Sequence, residues 1–366
     1  MLNSLRKRIG PRTILKKTEE TVIRAFQNSI LEQNYDPKAE NLIIFLSPGE
    51  DVSVGGILSI TAIYEETKKL KSLHHSEVIM CTTPGDPLLI RYTKFKNQNY
   101  ILRFSKVLAY FKNLKRVIIH IPELAVKQFQ EKITPQDRHR LAKIEKLQIN
   151  ILIQNIELLS PIKYIKELKK IGKVTCTTNH EKYSTSEMRQ KLDIPLHFLS
   201  WFLSQEQYIN RKYADKKDLM IISPDPHPMR KEIIKHLETQ LTNTTMQVIQ
   251  NLTYEEYKEL ISWAKWGLTF GEGIDGYFVE TAFSGGISFA IHKPAFFTED
   301  FRALRTVYAD GKTMKTNIVK DIKAFDNPKA FTAYNQEEFE LCAKYFNHEQ
   351  YAKSIKAFYE EKYTIP

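Results

Sequence analysis

Three kinds of feature are missing from this sequence, and each absence removes a class of function. Its 366 residues hold three cysteines, Cys81, Cys176 and Cys342, far apart and in neither Cys-x-x-Cys nor Cys/His spacing. That excludes a disulfide framework and a structural zinc site, and it suits a reducing cytoplasm. No apolar run approaches the ~18 residues a spanning helix needs and no signal-peptide pattern opens the chain, so the expectation is a protein that does not cross a membrane. No Gly-x-Gly-x-x-Gly joins a strand to a helix, which argues against a nicotinamide or flavin site. Internal repeats and low-complexity tracts are absent as well.

What is present is an ordinary globular composition, 42% hydrophobic and 27% charged, with an excess of base. Fifty-four Lys and Arg against 43 Asp and Glu leave a net charge of +11. Such a balance favours anionic partners, namely nucleotides, phospholipid surfaces or nucleic acid, without choosing among them. The length implies two domains.

Residues 1–40 read as a basic and helical extension. Within 1–17 stand Arg6, Lys7, Arg8, Arg12, Lys16 and Lys17 with no acid, interleaved with Leu2, Leu5, Ile9, Ile14 and Leu15. This segment either meets an anionic membrane face or is a flexible or packed extension, since Pro11 interrupts a continuous amphipathic helix. Residues 18–33 have helical spacing, with Val22, Ile23, Phe26, Ile30 and Leu31 on one face.

From residue 41 strands and helices alternate. Leu42 to Leu46 is a continuous apolar run suited to a buried parallel strand. A Gly55-Gly56 loop, a helix over 57–70 and a strand over 78–81 complete a βαβ unit. Further strands are expected at 117–120, 149–154 and 174–178, with helices at 101–112 and 136–146 between them. His120, Asn155 and His180 follow such strands, where a doubly wound sheet places its ligands. Each is either an acceptor contact or a hydrogen-bonded structural residue. Residues 41–199 therefore form one α/β domain and 200–217 a linker. A new strand at 219–223 opens a second domain over 218–335, continued by the loop 224–228, a helix over 229–241, a strand at 246–249 and a helix over 253–266. Two helices, 336–346 and 348–358, fill a C-terminal segment, 336–366, that can cross back to the first domain.

The chemistry concentrates in residues 269–291. Glu272 lies in a glycine-bearing loop, Gly271-Glu272-Gly273-Ile274-Asp275-Gly276, ahead of an expected helix that carries Glu280. The free N–H groups at that helix start suit a diphosphate, and a carboxylate in the first turns can take two hydrogen bonds from a vicinal diol. Ser284-Gly285-Gly286 ends the helix and Ile287 to Ile291 reads as a buried strand.

Glu272, seven residues, Glu280, a small-residue turn and a strand resemble the nucleotide-sugar signature of retaining glycosyltransferases of the GT-B fold, especially glycosyltransferase family 4. Two places depart from the pattern. Ile287 stands where the family usually has proline, and Phe270-Gly271 precede the first Glu rather than follow it. The resemblance implies two Rossmann-like domains facing a cleft. It places Glu280 on the ribose of the donor and Glu272 beside the transferred sugar, where it holds hydroxyls and stabilises charge at the anomeric carbon. Gly271, Gly273, Ile274, Asp275, Gly276 and Pro224 would line the donor, with Arg230 and Lys231 nearest its diphosphate, although the family's Gly-Arg and Lys-Gly pairs are absent. Gly55 and Gly56 would approach the donor phosphates and the acceptor.

Without Asp-x-Asp at a strand end, no metal or other cofactor is expected; helix dipoles and basic side chains would stabilise the leaving diphosphate. The expected partners are a nucleotide sugar and a glycan or lipid-linked acceptor of bacterial surface polysaccharide synthesis, in the cytoplasm or at the inner face of the cell membrane. Two alternatives stay open: transfer to nucleic acid, and a non-catalytic glycosyltransferase-like partner protein.

Overall fold

Runs of β-branched and aliphatic residues become parallel strands with both faces covered, as continuous apolar patterning requires. The computed structural model describes residues 11–52, 54–95, 98–272, 274 and 276–366. The first sheet holds β1 (Asn41–Ser47), β2 (Glu77–Thr82), β3 (Ile101–Arg103), β4 (Arg116–Pro122), β5 (Lys146–Ile153), β6 (Lys173–Thr178) and β7 (Leu196–Phe198). Its order is β3-β2-β1-β4-β5-β6-β7, parallel throughout. The second holds β8 (Lys217–Ile222), β9 (Thr245–Val248), β10 (Ala264–Thr269), β11 (Ile287–Ile291) and β12 (Val307–Tyr308), in the order β12-β11-β10-β8-β9, again all parallel. Both are doubly wound Rossmann-like sheets, and each reverses strand order beside its first strand, β1 or β8. Ligands of such sheets sit beyond the carboxyl ends at those reversals.

The chain's end ties the two halves together. Helix Pro328–Tyr345 packs Phe331, Tyr334 and Cys342 against the second domain. Helix His348–Tyr359 then buries Tyr351, Ile355, Phe358 and Tyr359 in one cluster with Ile43, Phe45 and Ile118 of the first sheet.

Several elements differ from their sequence patterns for physical reasons. Among the described residues the N-terminal segment is one helix, Pro11–Asn34, longer than the 18–33 stretch that the apolar spacing marks. Residues 1–10, half of the basic segment, lie outside the described residues. The 101–112 stretch divides into the strand β3 and a helix Phe104–Tyr110, since Ile101 and Leu102 are drawn into the sheet edge beside Met80 and Cys81. Helix Pro135–Leu141 stops well short of 146, and Lys146 begins β5 paired to Arg116. Likewise Ala264 to Trp266 belong to β10, so the preceding helix is Tyr254–Trp263, opened by a Thr253/Glu256 capping box.

One buried lysine, its pKa pushed down to about 7 by burial, fastens the loops of the second domain. Lys216 is 8% exposed, and its Nζ donates to the carbonyls of Ser262, Ala264 and Ser284 at 3.0, 2.9 and 2.9 Å. These carbonyls belong to the ends of helices Tyr254–Trp263 and Gly276–Phe283. Methionine would fill the lysine's stem yet leave three desolvated acceptors, so Lys216→Met is expected to cost roughly 3 kcal/mol. An unchanged urea midpoint would contradict this.

Candidate active site

Glu272 is placed by the end of β10. Thr269 leaves the sheet, and the Phe270 amide donates to Ser223 Oγ at 3.0 Å, which pins this exit against that of β8. Two residues on, Glu272 faces the first domain, where β4 and β5 end in Glu123 and Asn155. Asn155 is oriented by its own turn: its Oδ1 accepts from the Glu157 amide at 2.8 Å, and its backbone N–H donates to Glu123 Oε1 at 3.0 Å. The amide's NH2 group is thereby turned outward, and it donates to Glu272 Oε1 at 2.5 Å across the cleft.

Burial pushes the Glu272 carboxyl up to about 7; the Asn155 bond opposes this, Asp225 adds to it, and Lys293 opposes it again. Glu123, 3% exposed, is pushed up to about 7 by burial against the amides that it accepts from. Two carboxyl groups poised near neutrality thus flank Asn155, Glu123 on its backbone N–H and Glu272 on its side-chain NH2. A site of this kind can hold sugar hydroxyls and change charge at working pH.

Beside Glu272 lies a basic and aromatic corner. Arg230 opens helix Arg230–Gln240, and its guanidinium turns back to the Ser223 carbonyl at 3.2 Å, 5.9 Å from the Phe270 ring centre. Its Nε is buried with no partner, as is Asp225 Oδ2. His227 stacks on Phe270 at 5.6 Å. Lys231 and Pro224 are exposed, so of the two basic candidates Arg230 is the one brought to the strand end.

Glu280 lies one layer deeper. It is 4% exposed, and its Oε1 accepts from the hydroxyls of Tyr208 and Tyr254, both at 2.8 Å. Burial raises its pKa, with Tyr257, Tyr208 and Tyr254 opposing. A Cβ on Gly276 would stand 3.2 Å from Glu280 Oε2. Ile274 is a correction to the donor-lining set: it is 5% exposed and packs in the hydrophobic core of the second domain. Gly271 is half-buried at the site, while Gly273 and Asp275 lie outside the described residues. After the helix, Gly285 takes φ +83°, and Gly267 lets Thr281 come within 2.6 Å of where its Cβ would be; only glycine permits either.

The first domain's candidates separate. Gly55 and Gly56 form the first turn of helix Gly55–Lys69 rather than a loop before it, and a Cβ on Gly56 would meet Gln154 Oε1 at 3.1 Å. Gly56 thus borders Gln154, the residue before Asn155, and nothing lies within 4 Å of a Cβ on Gly55. His180 is buried beside Trp201, Tyr183 and Phe296, with Nε2 unpartnered and its pKa pushed down to about 4 by burial. Here the domains touch: Tyr183 donates to the Ala295 carbonyl at 2.8 Å, and Lys182 to that of Pro294.

His120 is not at the cleft. It is 1% exposed, stacks on Phe45 at 4.3 Å, and bonds to Tyr359 and Asn150. The reason is length: β4 runs two residues beyond His120, to Pro122, so the residue delivered to its carboxyl end is Glu123. The same reasoning applied to the full strand would have found it.

No protein-family model matches the chain, and no curated protein matches its sequence. Solved structures do match its fold. An α-glucosyltransferase in complex with UDP-glucose and DNA containing an abasic site is 8% identical with a TM-score of 0.58, over 87% of this chain and 99% of that one. Anabaena HepE with UDP-glucose is 9% identical, TM-score 0.54, over 88% and 98%. The trehalose 6-phosphate synthase of Burkholderia multivorans is 8% identical, TM-score 0.53, over 89% and 97%. At such identities the likeness is one of fold: two Rossmann-like domains in the GT-B arrangement.

Proposed function

We propose that the chain is a glycosyltransferase that moves a sugar from a nucleotide-sugar donor to a glycan or lipid-linked glycan acceptor, without a metal and with retention at the anomeric carbon. The observation that carries this reading is Glu272, at the carboxyl end of β10, hydrogen-bonded across the cleft to Asn155 at the end of β5. Each domain thereby contributes a polar side chain to one point of the cleft. UDP-glucose in two of the structures of similar fold is consistent with a nucleotide-sugar donor.

In this reading the anomeric carbon's bond to the donor phosphate breaks, a bond to the acceptor oxygen forms on the same face, and the acceptor proton passes to the leaving phosphate oxygen. Arg230 meets the diphosphate charge, which a preorganised cation stabilises without reorganising. Glu272 holds sugar hydroxyls and offsets positive charge on the ring, and Asn155 fixes its orientation. The acceptor enters along the first domain, past Gly55, Gly56 and Asn155. Among the described residues no helix is long and apolar enough to cross a membrane; a lipid-linked acceptor would be met at the inner face of the cell membrane. Transfer to nucleic acid is the second reading, favoured by the net charge of +11, and it requires DNA binding that falls steeply with salt.

The test is thermal stabilisation by UDP-, GDP-, TDP- and CMP-sugars. A donor at about 100 times its dissociation constant should add roughly 2.7 kcal/mol. One nucleotide class should stabilise the wild type and do so less in Glu280→Ala. If none stabilises it, the donor site is vestigial and a non-catalytic partner protein becomes the better description.

A further inference from the structure

A groove of about 470 Å³ lies on the second domain between helix Glu299–Arg302 and helix Pro328–Tyr345. Its apolar lining is Ala303, Leu304, Ala333 and Leu341, and the two alanines leave room for another helix to lie close. Glu337 and Glu340 line it as well, exposed and with no basic partner among the described residues. The bases nearby are already engaged: Lys344 pairs with Asp300 at 2.8 Å and Arg302 with Glu299 at 3.5 Å. In a chain of net charge +11, this groove therefore sets two unbalanced negative charges beside an apolar floor. Such a surface suits a basic amphipathic helix, which lays its apolar face into the groove and its charges on the rim.

The chain carries a segment of that chemistry. Leu2, Leu5 and Ile9 recur at the i, i+3, i+7 spacing of one helical face, and Arg6, Lys7 and Arg8 stand among them with no acid. The segment and the groove belong to opposite edges of the first sheet. Helix Pro11–Asn34 packs Phe26 on Tyr100 at 5.5 Å, next to the edge strand β3. The groove's longer helix ends at Ser200, just past the other edge strand, β7, where Ser200 Oγ donates to the Tyr345 carbonyl at 3.2 Å. Six strand spacings of about 4.8 Å, roughly 29 Å, separate those edges, whereas ten helical residues span about 15 Å. That favours the groove of a second molecule over the segment's own.

We propose that residues 1–10 of a second copy of this chain occupy the groove, with Leu2, Leu5 and Ile9 on its apolar floor and Arg6, Lys7 and Arg8 against Glu337 and Glu340. Two copies exchange segments reciprocally, which makes two identical contacts and closes the assembly as a dimer. The inference is independent of the transferase reading.

The experiment is sedimentation of the full chain. Wild type should be dimeric at about 50 mM NaCl, and its dissociation constant should rise about tenfold or more at about 500 mM, because the exposed charges are screened. Glu337→Lys/Glu340→Lys and Arg6→Glu/Lys7→Glu/Arg8→Glu should each be monomeric, since each sets like charges against each other. Mixed, the two variants should dimerise, because each groove then meets a segment of opposite charge. Glu337 and Glu340 are exposed, so the groove variant should keep the wild-type Tm, and its loss of dimer then reports the contact rather than the fold. A wild type that is monomeric at both salts, a dimer that survives either variant, or a mixture that stays monomeric overturns the proposal. So does a monomeric wild type that binds phosphatidylglycerol vesicles through Arg6, Lys7 and Arg8, which would give the segment to a membrane instead.

Discussion

Glu272→Gln is expected to lower kcat by roughly 100- to 1,000-fold while leaving the donor dissociation constant within about threefold. The glutamine keeps shape and can still meet a sugar hydroxyl, but it cannot offset charge that develops at the anomeric carbon, and such electrostatic groups carry effects of this size. The same carboxyl predicts a pH profile. Its pKa is raised from 4.5 to about 7, chiefly by burial, so the charged form predominates only above about pH 7. Activity should rise with pH through that value, and the rise should vanish in Glu272→Gln. Stability should move the other way. Between about 4.5 and 7 the folded protein binds a proton that the unfolded chain releases, so the stability present at low pH is lost as pH rises through this window. Glu123 titrates in the same range, so the variant should keep part of that slope. Steady-state rates and urea midpoints from pH 5.5 to 8.5 check both halves. A glutamine variant with wild-type kcat at every pH would move the chain to the non-catalytic reading.

What the sequence discloses depends on how local the cause is. The central strands announce themselves, because a strand covered on both faces must be apolar at every position, as Leu42 to Leu46 and Ile287 to Ile291 are. Very short edge strands do not. β3 and β12 are three and two residues long, and nothing local separates Ile101-Leu102 from the helix that follows; only the neighbour β2 makes them a strand. The loop bearing Glu272 and the helix bearing Glu280 were legible because glycines bracket both carboxylates. Their partners were not. Asn155 stands out only as a residue after a strand, and that it rather than His120 faces the cleft follows from where each strand stops. Glu123 is hidden by a two-residue extension of β4, and Tyr208 sits in a segment whose polarity reads as a linker. Ile274 shows the converse: a residue inside a functional loop whose side chain belongs to the core.

Asn155→Asp offers the sharpest test of the cleft, because its two possible roles predict opposite orders. As a cap, Asn155 uses only Oδ1, which accepts from Glu157; aspartate caps as well as asparagine, so Asp should behave like wild type and Ala should be worse. As the group that holds Glu272, it uses the NH2 hydrogens, which aspartate lacks. An aspartate there would set a carboxylate at 2.5 Å from Glu272 Oε1, with Glu123 behind it. Like charges so close and so poorly solvated cannot both ionise. Either Glu272 takes a proton or the domains part, and both remove the charged form that the reaction needs. The expected order is therefore wild type, then Asn155→Ala at about tenfold lower kcat/KM, then Asn155→Asp at about 100-fold lower at pH 7. The last cost lies within the range for disrupting buried charged pairs. The aspartate's profile should also shift about one pH unit alkaline, which a lost cap cannot produce. If Asp outperforms Ala, Asn155 is a turn residue and the bond across the cleft has no part in the chemistry.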